Sequence, residues 1–351
     1  MRELSYGEAI REATYQVMKK DKSIIVLGEG VNDPTGMFGS TLDLYKTFGK
    51  ERVIDVPNSE SGFTGMAIGA AINGLRPIIV HQRNDFLLLT MDQVISQAAK
   101  WSYMFAGKSH VPLIVRAVVG RGWGQGAQHS QSLQSLFMHI PGLKVLMPAN
   151  AYDAKGMLVS ALTKEVSPII IIEHRWLYKV KSHVPKKIYS VSIEEGKVVR
   201  KGSDITVISA SQGVEDSLKA AGMLSDMNVS AEVIDLRTVR PIDFNIIRQS
   251  IKKTGNAVVV DVGWRSCGLS SEIAAMIVED ELCYRSLKSP IKRITWADTP
   301  TPTTYALESL FYPTAETIVA AVIAVLKGEM VNLNATFEDQ KFHSKRFPGS
   351  F

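Results

Sequence analysis

The sequence predicts an α/β protein of two consecutive three-layer domains, and three observations carry that prediction. Short β-branched runs alternate with segments of helical period, the pattern of helices layered on a mainly parallel sheet. A length of 351 residues exceeds one ordinary domain and suits two. Between residues 186 and 202 the text turns polar, charged and β-prone, as a linker with a hairpin would. The expected division is a first domain over 1–185, a linker over 186–202, a second domain over 203–328 and an aromatic tail over 329–351.

The elements follow in order. Ser5 to Lys19 spaces its apolar residues for a helix. Ser23 to Leu27 reads as a buried strand running into Gly28-Glu29-Gly30, and Arg52 to Val56 as a second strand stopped by Pro57. Gly62 to Asn73 is rich in Gly and Ala and reads as a closely packed helix. Further strands are expected at Pro77–His81, Val111–Ala117, Lys144–Met147 and Pro168–Glu173. Past the linker, strands are expected at Ile205–Ala210, Ala231–Asp235 and Ala257–Val262. Helices are expected at Gly213–Leu224, after Gly268 and at Ala315–Leu326. The tail carries Phe337, Phe342, Phe347 and Phe351 without periodicity, which leaves disorder and docking on a neighbour equally open.

Composition excludes several classes. With 45% apolar and 21% charged residues the chain is that of a globular protein. No uninterrupted apolar run reaches the length of a membrane span, and the N-terminus lacks the apolar stretch of a signal peptide, so a cytoplasmic location is expected. A net charge of +5 is small for this size and the basic residues are scattered, which argues against nucleic-acid binding. Only Cys267 and Cys283 occur, so no disulfide framework or cysteine-rich zinc site is available, and no metal-ligand spacing is recognisable.

Two segments could carry chemistry. Glu60, in Asn58-Ser59-Glu60-Ser61-Gly62, follows a strand where ligands of open α/β sheets gather, beside small residues that admit a close neighbour. Spacing alone also allows a helix-end carboxylate stabilised by the macrodipole. In the second segment Gly120, Gly122, Gly124 and Gly126 alternate and lead into His129-Ser130-Gln131. Histidine suits proton transfer near neutral pH, and a structural histidine is the equal alternative. His81, His110, His139, His174, His183 and His343 lack such context and read as core or surface residues. Neither glycine segment forms a nucleotide-binding loop.

Together these segments resemble the β subunit of the 2-oxo acid dehydrogenase first component, of the pyruvate, branched-chain and acetoin type. The likeness runs over residues 3–328. It includes Leu27-Gly28-Glu29, Glu60-Ser61-Gly62, Asp92-Gln93-Val94, His129-Ser130-Gln131, Pro141-Gly142-Leu143-Lys144-Val145, Asp153-Ala154-Lys155-Gly156, Val233 to Pro241, Lys252-Lys253-Thr254-Gly255 and Gly263-Trp264. The resemblance implies a pyrimidine-binding domain followed by a transketolase C-terminal-like domain. It implies thiamine diphosphate as cofactor, with magnesium and the diphosphate held mainly by a separate α-type subunit, in an α2β2 heterotetramer. A lipoyl acyltransferase is the implied further partner and a small 2-oxo acid the implied substrate.

By position, Glu60 matches the glutamate that hydrogen-bonds the pyrimidine nitrogen and promotes the imino form that activates the cofactor. His129 matches the histidine facing substrate and acyl acceptor, Phe86 the aromatic against the pyrimidine, and Glu29 an acidic residue near the site. The chain departs from the pattern at Arg83-Asn84-Asp85-Phe86, and in the glycine loop at Arg121 and Trp123. Arg83 and Arg121 are therefore candidates for contact with an anionic substrate, or for a subunit interface. A second reading keeps the same cofactor but joins an acyl or two-carbon unit to an aldehyde or sugar, without lipoamide. A non-catalytic scaffold is a third, which the presence of both Glu60 and His129 argues against.

Overall fold

The computed structural model describes residues 2–120 and 124–328. Arg121, Trp123 and the tail over 329–351 lie outside the described residues. Fourteen strands occur among those described. They are β1 (Glu3–Ser5), β2 (Ile24–Gly28), β3 (Val53–Asp55), β4 (Arg76–His81), β5 (Ile114–Val119), β6 (Lys144–Leu146), β7 (Ile169–His174), β8 (Lys181–His183), β9 (Lys197–Arg200), β10 (Ile205–Ser209), β11 (Ala231–Asp235), β12 (Thr238–Arg240), β13 (Ala257–Trp264) and β14 (Lys292–Trp296). The chain divides into two compact units. Among the described residues, one comprises 2–120, 133–195 and 237–242, the other 124–132, 196–236 and 243–328.

The first unit is built on a seven-stranded sheet of order β12-β6-β7-β5-β4-β2-β3, parallel except where β12 joins β6. Strands β2, β4, β5 and β7 are buried along almost their whole length, as parallel strands covered on both faces must be. Ile24, Val26, Ile78, Val80, Ile169 and Ile171 pack with Ala9, Ile10, Ala13 and Val17 of the helix Tyr6–Lys20 and with Met157, Leu158 and Leu162 of the helix Ala151–Thr163. Ser5 opens the first of these helices through a capping box with Glu8, which satisfies two end donors. A short ribbon of β1 with β8 lies apart from the main sheet.

The second unit holds a five-stranded sheet of order β14-β13-β10-β11-β9, with β9 antiparallel at one edge. Its core joins Val207, Val233, Val258, Val260 and Ile294 to Ala220, Ala221 and Leu224 of the helix Gln212–Asp226 and to Ile318, Ala321, Val322 and Val325 of the helix Ala315–Lys327.

One expectation changes, and two features go beyond what the sequence reading named. Residues 186–202 form no hairpin: β9 pairs with β11, and upstream Val191 and Ile193 are buried in the first unit's core. Polar neighbours hid those two apolar side chains. Thr238–Arg240, within a matched motif, adds an antiparallel edge strand to the first sheet. The stretch Tyr305–Lys327 is long and apolar enough by composition to cross a membrane. It is nevertheless two helices, Tyr305–Phe311 and Ala315–Lys327, interrupted before Pro313, and the second packs into a core.

Candidate functional site

The order β3-β2-β4-β5 places β3 on one side of β2 and all later parallel strands on the other. The strand order thus reverses between β2 and β4, and the crevice beyond their carboxyl ends is where such sheets bind ligands. Glu29 directly follows β2, Asp55 ends β3, and Gln82 and Arg83 follow β4. Gly28 lets β2 approach β4 closely, because a Cβ there would fall on the carbonyl of Val80.

Glu60 is the first residue of the helix Glu60–Ile72 and not a residue of the loop before it. Its carboxylate stands in the first turn, where the helix dipole favours negative charge. The buried face of the helix is Phe63, Thr64, Ala67, Ile68 and Ala71. Glu60 is half-buried and makes no hydrogen bond to the described residues, so both oxygens can accept. Asn58, with its amide turned to donate, reaches both oxygens of Glu29 at 2.8 Å. The Gly30 N–H donates to Asp55 Oδ1 at 2.8 Å, and Gln82 Nε2 donates to the Glu29 carbonyl at 3.3 Å across the crevice. Burial, with the charges of Glu60 and Asp55, pushes the Glu29 carboxyl above its ordinary value. Glu29 therefore holds a proton more readily than an ordinary glutamate does.

Arg83 leads into an unusual helical run, a 3₁₀ segment over Asn84–Thr90 and a π segment over Asp92–Ala98 before the α-helix Ala99–Met104. Departures from the α-helix of this kind concentrate at functional sites. Phe86 sits half-buried in its first turn, its N–H donating to the Arg83 carbonyl at 3.2 Å. Several buried polar atoms nearby in sequence lack a hydrogen-bond partner among the described residues: His81 Nε2, the Thr64 hydroxyl and both amide atoms of Asn84. Unmet buried groups of this kind mark where water or a ligand completes the structure. A free carboxylate, a half-buried aromatic and unmet polar atoms at a sheet crevice fit an aminopyrimidine ring. Among the described residues no three His, Cys, Asp or Glu side chains come together as a metal site.

His129 belongs to the second unit and is exposed, its N–H donating to the Gly126 carbonyl at 3.4 Å. Gly124 and Gly126 both have positive φ and lie against Thr303, so these two glycines answer a backbone need. Ala127 and Gln131, on either side of His129, line a cavity of about 300 Å³ with Trp264, Asp298, Thr299 and Pro300. The structure therefore gathers Glu29, Glu60, Arg83 and Phe86 at one edge of the first unit, while Arg121 lies outside the described residues. Sequence reasoning missed Asn58, Asp55 and Gln82, because only the sheet order brings these strand ends together.

Residues 2–181 match the family described as the transketolase pyrimidine-binding domain, and residues 194–318 the transketolase C-terminal domain. The chain is 38% identical over 343 residues to the acetoin:2,6-dichlorophenolindophenol oxidoreductase subunit beta of Bacillus subtilis (strain 168), covering 94% of this chain and 99% of that one. It is 41% identical over 323 residues to the mitochondrial pyruvate dehydrogenase E1 component subunit beta of Caenorhabditis elegans, covering 91% of each. Its fold is similar to a split-gene transketolase described as an inactive beta4 tetramer, with a TM-score of 0.76 at 22% identity over 93% of this chain and 99% of that one. The chain belongs to the transketolase-like, thiamine-diphosphate-dependent family of β subunits of 2-oxo acid dehydrogenase first components.

Proposed function

We propose that this chain holds the aminopyrimidine half of thiamine diphosphate and, with an α-type partner, decarboxylates a 2-oxo acid and passes the acyl group to a lipoyl arm. The named activities of its relatives support the reaction class, and their near full-length match supports a β subunit; in this reading it works in an α2β2 assembly. Magnesium and the diphosphate fall to the partner in this reading.

Glu60 is the observation that carries the reading. Its carboxylate stands at the mouth of the crevice with both oxygens open, next to Glu29, whose proton is retained more strongly than usual. Glu60 would hold a shared proton at its oxygen against the pyrimidine nitrogen, and Phe86 would lie against the ring. Bound thiamine diphosphate supplies the carbon nucleophile and electron sink that the side chains lack. His129, on its glycine loop, would donate or accept a proton at the substrate.

Glu60→Gln is expected to leave the circular dichroism unchanged and to slow hydrogen–deuterium exchange at the cofactor's C2 by about 100-fold or more in the assembled enzyme. Near-normal exchange would return Glu60 to the role of a helix-end carboxylate.

A further inference from the structure

Pro57 follows β3, and the Ser59 N–H donates to the Pro57 carbonyl at 2.7 Å. That bond closes a three-residue turn with Asn58 at its centre, which restricts the directions its side chain can take. The side chain crosses to the end of β2, where its amide donates to Oε1 and Oε2 of Glu29, each at 2.8 Å. With the amide reversed, its oxygen would face two carboxylate oxygens instead. Among the described residues the neighbouring donors go elsewhere, the Gly30 N–H to Asp55 and Gln82 Nε2 to the Glu29 carbonyl. Asn58 is therefore the donor that the Glu29 carboxylate has.

The other influences on Glu29 favour its neutral form. The carboxyl is partly buried, and the charges acting on it, Glu60 from the helix Glu60–Ile72 and Asp55 from β3, are both negative. Asp33, a further carboxylate, has its side chain against Gly30. The Asn58 amide works against all of these, because an N–H donated to a carboxylate favours the ionised form, and contact with both oxygens fixes its orientation. Glu60 has no such donor among the described residues. Two neighbouring carboxylates compete for one proton, and the member with fewer donors keeps it. The helix dipole acts the other way on Glu60, but it is weaker than a charge-assisted contact to both oxygens.

We propose that Asn58 is a positioning residue: it holds Glu29 ionised and in place, so that the proton for which the two carboxylates compete rests on Glu60. The inference rests on the proposed function for the use of that proton, which Glu60 would share with the pyrimidine nitrogen.

Two measurements test it. The first is a carbon-13 NMR titration of the full chain, labelled at its glutamate side-chain carboxyls, from about pH 4 to pH 8. The Glu29 signal is the one that Glu29→Gln removes. Asn58→Leu is expected to move the Glu29 titration up by about one pH unit, a tenfold change in its acid constant, and Asn58→Gln, which keeps the amide, by much less. Asn58 is exposed, so neither variant leaves a buried group unmet and thermal unfolding should match the parent. A Glu29 titration unmoved by Asn58→Leu overturns the proposal. The second measurement is hydrogen–deuterium exchange at the cofactor's C2, at neutral pH, in the complex with the α-type partner. Asn58→Leu should slow it about tenfold or more, and should add no further loss in a Glu29→Gln background, where no carboxylate remains to be held. An equal loss in both backgrounds would make the role of Asn58 merely structural and equally overturns the proposal. A parent complex that exchanges no faster than free cofactor refutes the proposed function instead, and the titration alone then decides whether Asn58 holds Glu29 ionised.

Discussion

At the residue scale, His81 and Arg116 show how burial sets charge. His81 ends β4 at 3% exposure against Phe63, and burial alone pushes its pKa down to about 4. The imidazole is therefore neutral in the fold, while in the unfolded chain it titrates near 6.5. Stability from this group is fully present above pH 6.5 and is lost as pH falls toward 4, by about 3 kcal/mol if the whole shift is realised. Urea unfolding between pH 7 and pH 4.5 should show His81→Leu with a distinctly flatter pH dependence than the parent, whatever its stability at pH 7. An unchanged slope would mean that His81 already protonates in the fold. None of this was legible in the sequence, where His81 is one histidine among seven. Arg116 could have been read, since an arginine inside the apolar run of β5 needs a partner, and Glu173 at the close of β7 supplies it. Glu60 and Glu29 were legible because each lies just past a strand, Glu29 directly after β2 and Glu60 where the chain opens a helix after β3.

At the element scale, the matched segments separate into chemistry and support. Asp153-Ala154-Lys155-Gly156 is structural: the Asp153 N–H donates to the capping Asn150 Oδ1 at 2.9 Å and its carboxylate accepts from Arg237 at 2.7 Å, Lys155 reaches Glu12 at 2.6 Å, and Gly156 makes room for Val191. Spacing could not distinguish such residues from site residues, because their partners lie on distant stretches of chain. Gly142 belongs to the same class. It has φ 97°, and a Cβ there would overlap the carbonyl of Ala99 where the helix Ala99–Met104 begins. Gly69, on the helix Glu60–Ile72, has no atom within 4 Å of the place a Cβ would take. Gly142→Ala should destabilise the chain by about 2–4 kcal/mol, combining backbone strain with steric overlap. Gly69→Ala should be neutral or stabilising by up to about 1 kcal/mol from helix propensity. Thermal unfolding of the two variants checks the contrast, and equal effects would contradict the packing described for Gly142. The nine strands named from the sequence all form, whereas the strands β1, β8, β12 and β14 were not legible, and neither were the 3₁₀ and π segments over residues 84–98. Their sequence carries ordinary helical residues, and the departure is set by packing against the helix Glu60–Ile72 and β5.

At the scale of the whole molecule, the described chain offers a carboxylate edge for a flat ring but no comparable provision for a diphosphate. The crevice groups Glu29, Asp55 and Glu60 are all acidic, and Arg83 at its flank is engaged with Phe38 and the Gln82 carbonyl. A dianionic diphosphate near three carboxylates is repelled unless a cation screens it. Exposed apolar side chains point the same way. Met66, Leu89, Tyr103, Met104 and Phe105 are between 47% and 90% exposed on the helix Glu60–Ile72 and the helical run that packs beside it, as surfaces awaiting a partner are. The isolated chain is therefore expected to bind thiamine diphosphate with magnesium more weakly than about 100 μM, and the assembled complex about 100-fold more tightly or better. That gain corresponds to about 2.7 kcal/mol, a modest share of what two or three new charge-assisted contacts contribute. Isothermal titration of the chain alone, of the partner alone and of their mixture decides it. Low-micromolar binding by the chain alone would show that it carries the diphosphate site itself, and the division of the cofactor between two subunits would have to be abandoned.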